Sequence, residues 1–214
     1  MKKQFSIGEA VSYGWDTFKK NAWLFITLAA IDLIVGSIPN MISRESSPEK
    51  SWAGLIIWLI STAIQIGIIT IALKTVDSKK TGFSDLSENF SCYWRYLGAT
   101  ILYGFIVLVG FILLIVPGVI WAIKYQFYGY LIVDKKMGAM EALKKSGEIT
   151  KGVRLDLFLL GLVLLGVIIL GALVLGVGLL AAVPTVWLAM AYVYRKLSKA
   201  GGGSKEIAEE APAA

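Results

Sequence analysis

The stretch LLIVPGVIWAIKYQF, Leu113 to Phe127, decides how this chain is read. It is apolar enough for lipid, yet it carries a Pro-Gly pair, Pro117 and Gly118, and then a lysine, Lys124. It sits inside an apolar block running from Leu97 to Val133. A helix of about 40 residues would be about 60 Å long at about 1.5 Å per residue, near twice the hydrocarbon thickness of a bilayer. The block therefore reads as two antiparallel spans with the reversal at Pro117-Gly118, where proline cannot continue a helix cleanly and glycine permits the turn.

Three further apolar blocks lie at Ala22–Ile38, Trp52–Leu73 and Leu155–Tyr194. The last is again too long for one span, and Gly176 and Gly178 offer its turn, leaving Pro184 as a kink in the final helix. The count is six spans, at about 22–38, 52–73, 97–116, 118–133, 155–175 and 178–196. The chain has 57% hydrophobic and only 17% charged residues, whereas soluble domains carry about 25% charged residues. The fold class expected is an all-α integral membrane protein of three hairpins in one domain, residues 1–198, followed by a flexible tail, 199–214. The first residues lack the continuous apolar core of a cleaved leader and read as retained.

The charges give the orientation. Segments 1–21, 74–96, 134–154 and 195–214 hold 4, 4, 6 and 4 lysines and arginines, against two in 39–51 and none in the two remaining turns. Basic loops stay on the cytoplasmic side, so both termini are expected in the cytoplasm of a multi-pass protein of the cell membrane. The same rule accounts for the net charge of +6 without nucleic acid, which is not an expected partner.

Three of these inside segments show helical periodicity. In 137–151, Glu141, Lys144, Lys145, Glu148 and Lys151 share an arc of about 120°, with Ala139, Ala142, Leu143, Ser146, Ile149 and Thr150 on the rest of the wheel. In 6–21, Ile7, Val11, Gly14, Trp15 and Phe18 cluster; in 84–96, Leu86, Phe90, Tyr93 and Trp94 do. Each is expected to be an amphipathic helix at the cytoplasmic interface. EAVSYGWDTFKKN from Glu9 also aligns without gaps on EALKKSGEITKGV from Glu141, so three units of interface helix plus hairpin form an internal repeat.

Chemistry is sparse. There is no histidine, and one cysteine, Cys92, allows no internal disulfide. No hydrolase, phosphate-loop or metal-ligand motif occurs, and neither a cofactor nor a metal is expected. The polar residues at depth are Asp32, Gln65 and Lys124. Counted from the outer ends of their spans, Asp32 and Lys124 each lie roughly 10 Å deep, and Gln65 about 20 Å. An isolated charge in hydrocarbon is costly, so an Asp32–Lys124 ion pair is expected, without Gln65.

IVPGVIWAIKYQFYGYLIVDKKMGAMEALKKSGEITKG, Ile115 to Gly152, resembles the membrane domain associated with glycerophosphoryl diester phosphodiesterases and the bacterial membrane proteins known as domain of unknown function 975. The similarity rests on Pro117-Gly118, on Asp134 closing the next span, and on the helix motif Glu141, Ala142, Leu143, Ser146, Glu148, Lys151, Gly152; the opening EAVSYGWDTFKKN is also similar. One departure is Gly147, where such proteins often carry an aromatic residue. The resemblance implies an all-helical membrane protein of undefined activity over about 1–198. In the phosphodiesterases, catalysis belongs to a separate soluble domain that uses histidines and metal-binding carboxylates. That activity is not expected in a chain without histidine.

The function expected is therefore non-enzymatic: a scaffold, an envelope-maintenance factor or a binding partner. Its partners would be the lipid bilayer and other membrane proteins or a second copy of the chain. The alternative is a small transporter or permease-like subunit with a polar site around Asp32, Gln65 and Lys124. A cavity at those residues would favour the second.

Overall fold

In the computed structural model, which describes residues 4–42, 48–174 and 176–209, the chain is helical and no strand occurs among those residues. Among the described residues nine α-helices follow in order: α1 (Ile7–Lys20), α2 (Ala22–Ile42), α3 (Pro48–Val76), α4 (Tyr93–Leu113), α5 (Ile115–Tyr125), α6 (Tyr128–Lys135), α7 (Ala139–Ile149), α8 (Arg154–Leu173) and α9 (Leu179–Glu209). Two short 3-10 turns, Phe83–Leu86 and Phe90–Cys92, precede α4. The centre of the expected outer loop 39–51 lies outside the described residues, as does the end of the tail, 210–214; the backbone of α9 stays helical to Glu209, past the expected start of the tail.

Three described stretches are long and apolar enough to cross a membrane: Trp52–Val76, Phe83–Leu113 and Arg154–Leu173. Helices α1 and α2, bent by 103° at their junction, together would make a fourth. Large apolar side chains stand exposed along them, among them Leu55, Ile56 and Ile60 on α3, Phe105, Leu108 and Ile112 on α4, and Leu162, Leu165 and Ile169 on α8. A soluble protein rarely exposes so wide an apolar surface; hydrocarbon accepts it.

The core lies where α9 meets α1, α2, α3 and α8. Its large side chains include Phe25, Ile66, Ile71, Leu160, Leu188 and Tyr194, all nearly inaccessible. Close crossings are made by glycine. A Cβ on Gly14 of α1 would sit 2.5 Å from the Thr185 carbonyl oxygen of α9, and one on Gly178 would sit 2.5 Å from that of Gly171. The 6–21 segment is helical as α1, and its buried line is Ala10, Gly14 and Phe18, while Trp15, expected on the same face, remains half exposed.

The reversal in the third block is not at Pro117-Gly118. The chain turns at Leu114, which is fully extended, between α4 and α5. Pro117 is the third residue of α5, where a backbone N–H has no partner within the helix in any case, so proline is tolerated. Gly118 packs instead: a Cβ there would lie 2.6 Å from the Phe111 ring, and one on Gly110 would lie 2.8 Å from the Gly118 Cα. The fourth block turns as expected. Gly176 has φ +74°, open to glycine without strain, and Pro184 lies inside α9.

The 84–96 segment does not form one amphipathic helix. Asp85, Ser87, Glu88 and Asn89 turn their side chains to other partners, Ser87 to the Ser84 carbonyl at 3.2 Å. Asp85 accepts from the Gly82 N–H at 2.9 Å and, with Glu88, from the Lys74 ammonium. Asn89 donates to Thr70 Oγ1 at 2.9 Å and accepts from Lys136. Such side chains offer the backbone alternatives to the helix. Leu86 meanwhile rests on α3 where Gly67 leaves room; a Cβ on Gly67 would come within 2.9 Å of the Leu86 backbone.

Candidate functional site

The second span of the third hairpin is not one helix. Helix α5 ends at Tyr125, Gln126 and Phe127 form a turn, and α6 begins at Tyr128. A break of this kind inside a bundle exposes backbone groups that must find partners, since hydrocarbon offers none. Here neighbouring helices supply them. Tyr103 of α4 donates to the Ala122 carbonyl at 3.2 Å. Ser146 of α7 donates to the Lys124 carbonyl at 3.0 Å and accepts from the Phe127 N–H at 3.1 Å. Thr150 Oγ1 lies 3.1 Å from the same Lys124 carbonyl.

The motif Glu141–Gly152 thereby acquires a physical role. Glu141 accepts from the Gly138 N–H at 3.4 Å and starts α7. Ala142, Leu143, Ser146 and Thr150 are buried, so the face expected against lipid is spent on the protein. Glu148 pairs with Lys145 at 3.0 Å on the exposed face, and Lys151 is exposed there too. Gly152, at φ +86°, reverses the chain into α8.

Beside the break lies a half-open cavity of about 270 Å³. It is lined by Gln65, Ile68, Ile69 and Ala72 of α3, Tyr96 and Tyr103 of α4, Gln126, Tyr128, Gly129 and Tyr130 of the broken span, and Trp187 of α9. Gly129 lets the walls close: a Cβ there would lie 2.8 Å from the Tyr96 ring. Tyr128 packs between Tyr96 and Tyr103, with centroids 5.8 and 5.1 Å away, and its hydroxyl lies 2.9 Å from Thr100 Oγ1. The Gln126 amide nitrogen is buried and has no hydrogen-bond partner in the structure. A buried, unpartnered donor calls for an explanation such as a water or a ligand.

Of the three polar residues singled out in the sequence, two meet. Gln65 Nε2 donates to Asp32 Oδ1 at 3.0 Å, so Asp32 supports the cavity wall from α2. The Asp32–Lys124 ion pair does not form. Lys124 lies on another side of the bundle, in a cleft with Met140, Lys144, Gly147 and Lys151, its ammonium 4.7 Å from the Tyr125 ring centroid. Matching depth along two helices says nothing of the direction each side chain takes around its axis, and that direction decides the contact. The polar residues missed in the sequence are Gln126 and the tyrosines. For Gln126, Tyr128 and Tyr130 the signal was the dense YQFYGY run, Tyr125 to Tyr130, read there as plain span; Tyr96 and Tyr103 stand apart on α4.

One end of the bundle is strongly polar. Arg195 of α9 donates to Asp134 at 2.7 Å and to Asp77 at 2.6 Å, tying the ends of α3 and α6 to the middle of α9. Tyr194 also donates to Asp134, at 2.7 Å. On α1, a hydrogen bond from Tyr192 and the Lys196 ammonium hold the Glu9 carboxyl below the usual carboxylate range. The Lys74 ammonium, aided by the Gly82 N–H, does the same for Asp85. Among the described residues no group of three or more cysteine, aspartate or glutamate side chains is placed to hold a metal ion.

Fold and site together define a helical protein with three to four stretches able to cross a membrane and a polar, tyrosine-rich cavity beside a broken helix. Residues 99–201 match the model of a family described as protein of unknown function (DUF975). The chain is also 25% identical, over an alignment of 244 positions covering 97% of it and 73% of each relative, to the uncharacterized proteins Rv2560 of Mycobacterium tuberculosis (strain H37Rv) and Mb2590 of Mycobacterium bovis. No solved structure matches it. These similarities support the family of unknown function; the phosphodiesterase-associated domain remains a resemblance of motifs.

Proposed function

We propose that the chain is a six-span, non-enzymatic member of this family that binds a small polar solute, or the polar part of an amphiphile, in the tyrosine-lined cavity. The reading is permease-like, the alternative weighed from the sequence. One observation carries it: a cavity of about 270 Å³ inside the bundle, lined by Gln126 with its unpartnered amide nitrogen. Broken helices beside a polar site are a recurrent construction in transporters. The neutral hydroxyl and amide lining favours an uncharged or zwitterionic ligand over a free ion. Phosphodiesterase activity is no part of this proposal, because the chain has no histidine for it.

In this reading α2, α3, α4, α5 with α6, α8 and α9 are the spans, and the polar end with both termini faces the cytoplasm, as the basic loops require. The scaffold reading is supported by the exposed charged face of α7 alone.

The cavity is tested in a Cys92→Ala background. Cysteines at Gln65 and Ile69, on the cavity wall, should react with a small water-soluble thiol reagent much faster than one at Ile66, which is fully buried away from it. Equal rates would remove the cavity as a hydrated site. For the orientation, an impermeant reagent on intact cells should label Ser47→Cys and spare Ser204→Cys; the reverse result would invert the topology.

A further inference from the structure

Two grooves flank α5, and they are lined by four cations that make no ion pair among the described residues. In the first, of about 420 Å³ between α4, α5 and α7, Lys124, Lys144 and Lys151 line a wall that also includes Met140, Leu143 and one carboxylate, Glu148, so the lysines outnumber the acid three to one. The ion pairs of the described residues include none of these three lysines, and the carboxylate nearest in sequence, Glu148, pairs with Lys145 at 3.0 Å. In the second, of about 400 Å³ between α5 and α8, the wall is apolar, with Ile120, Ile123 and Phe158, except for Arg154 at the start of α8. The Arg154 Nε is buried and has no hydrogen-bond partner. The two grooves share the 123–124 turn of α5, and Lys151 and Arg154 flank the short link from α7 to α8.

We propose that this corner binds an anionic phospholipid, the lysines and Arg154 holding the phosphate and the α5–α8 groove taking an acyl chain. Several ammonium groups beside an apolar channel suit a phosphodiester carried on a hydrocarbon tail, and basic pockets between spans are a recognised way to hold anionic lipid head groups. A soluble phosphate would leave the apolar groove unused. Gly147 fits the same account. A Cβ there would lie 3.0 Å from Lys124 Cε, so an aromatic residue at 147 would take the space into which Lys124 reaches. The absence of a side chain at that position opens the cleft. The inference stands apart from the solute cavity, which is lined by none of these residues.

The test uses the full chain in nanodiscs of phosphatidylcholine with or without a minor fraction of phosphatidylglycerol. Retained lipid is read by native mass spectrometry and thermal stability in parallel. The unaltered protein should retain phosphatidylglycerol in preference and be stabilised by it. The exposed double variant Lys144→Gln/Lys151→Gln should lose that preference by about tenfold or more, at about 1 kcal/mol for each lysine near an anionic head group. Gly147→Trp should lose it too. Lys19→Gln/Lys20→Gln on α1 should keep it. The proposal is overturned if the unaltered protein shows no preference, if either groove variant retains it, or if the α1 variant loses it equally, which would mean general surface charge. It is also overturned if inorganic phosphate in pure phosphatidylcholine discs stabilises the protein as well, which would mean a soluble anion site.

Discussion

Residues 137–151 and 84–96 carry the same kind of pattern, apolar residues on one arc and charges opposite, yet only the first folds as one helix. The polar residues differ in where their bonds go. In α7 Lys145 and Glu148 pair with each other on the outer face, and the buried hydroxyls of Ser146 and Thr150 reach out to the break after α5. In the other segment Asp85 binds the Gly82 N–H and Asn89 is held between Thr70 and Lys136, so the chain is pinned as two short turns onto the end of α3. The outcome also differs at the surface: Phe83, Phe90 and Trp94 remain largely exposed, whereas the apolar face of α7 is buried. Periodicity marks a face; what that face meets decides whether the segment stays a helix.

The comparison is most open to attack through the clip. Ser146→Val together with Thr150→Val would strand the Lys124 carbonyl and the Phe127 N–H, at a cost of about 3 kcal/mol. The thermal midpoint in detergent should fall by roughly 5–10 °C. An unchanged midpoint would mean that the break needs no help from α7. Next in size, Gly67→Val would drive a side chain into the Leu86 backbone and lift the first 3-10 turn, at about 1–3 kcal/mol by overpacking; faster proteolysis within 79–92 should accompany the loss. Asn89→Leu should cost about 1 kcal/mol through the bonds to Thr70 and Lys136. If instead it stabilises the protein and spin labels across 84–96 gain a period near 3.6, polar competition is what keeps the segment from being helical.

The smallest effect is electrostatic. The Lys74–Asp85 pair, at 2.7 Å, should contribute less than about 1 kcal/mol. Because the Asp85 carboxyl is held below its ordinary range, that contribution is present above the unfolded carboxylate value near 4 and is lost as the pH falls through the lower folded value. The advantage of the unaltered protein over Asp85→Asn should thus be constant at neutral pH and shrink below about pH 4. A difference independent of pH would assign Asp85 to capping Gly82 alone.

Apolar length and composition sufficed for the helical class, for the stretches that can cross a membrane, for the reversal at Gly176 and for the helix at 139–149 with its charged face outward. These are local properties: each follows from how a segment partitions its own side chains between lipid, water and backbone. The site was legible only in fragments. Asp32 and Gln65 stood out as polar residues in apolar spans, but their meeting, the separation of Lys124 from both, and the recruitment of Gln126, Tyr96, Tyr103 and Tyr128 to one cavity are set by the rotation and crossing of helices. Likewise Pro117-Gly118 announced a turn that the chain makes at Leu114 instead, because a first-turn proline costs nothing and the glycine is needed for the α4–α5 contact. The sequence by itself determined that the apolar blocks are helical and what they can be immersed in. Only the tertiary structure decided which polar groups face one another, because azimuth and close approach depend on partners distant in the chain.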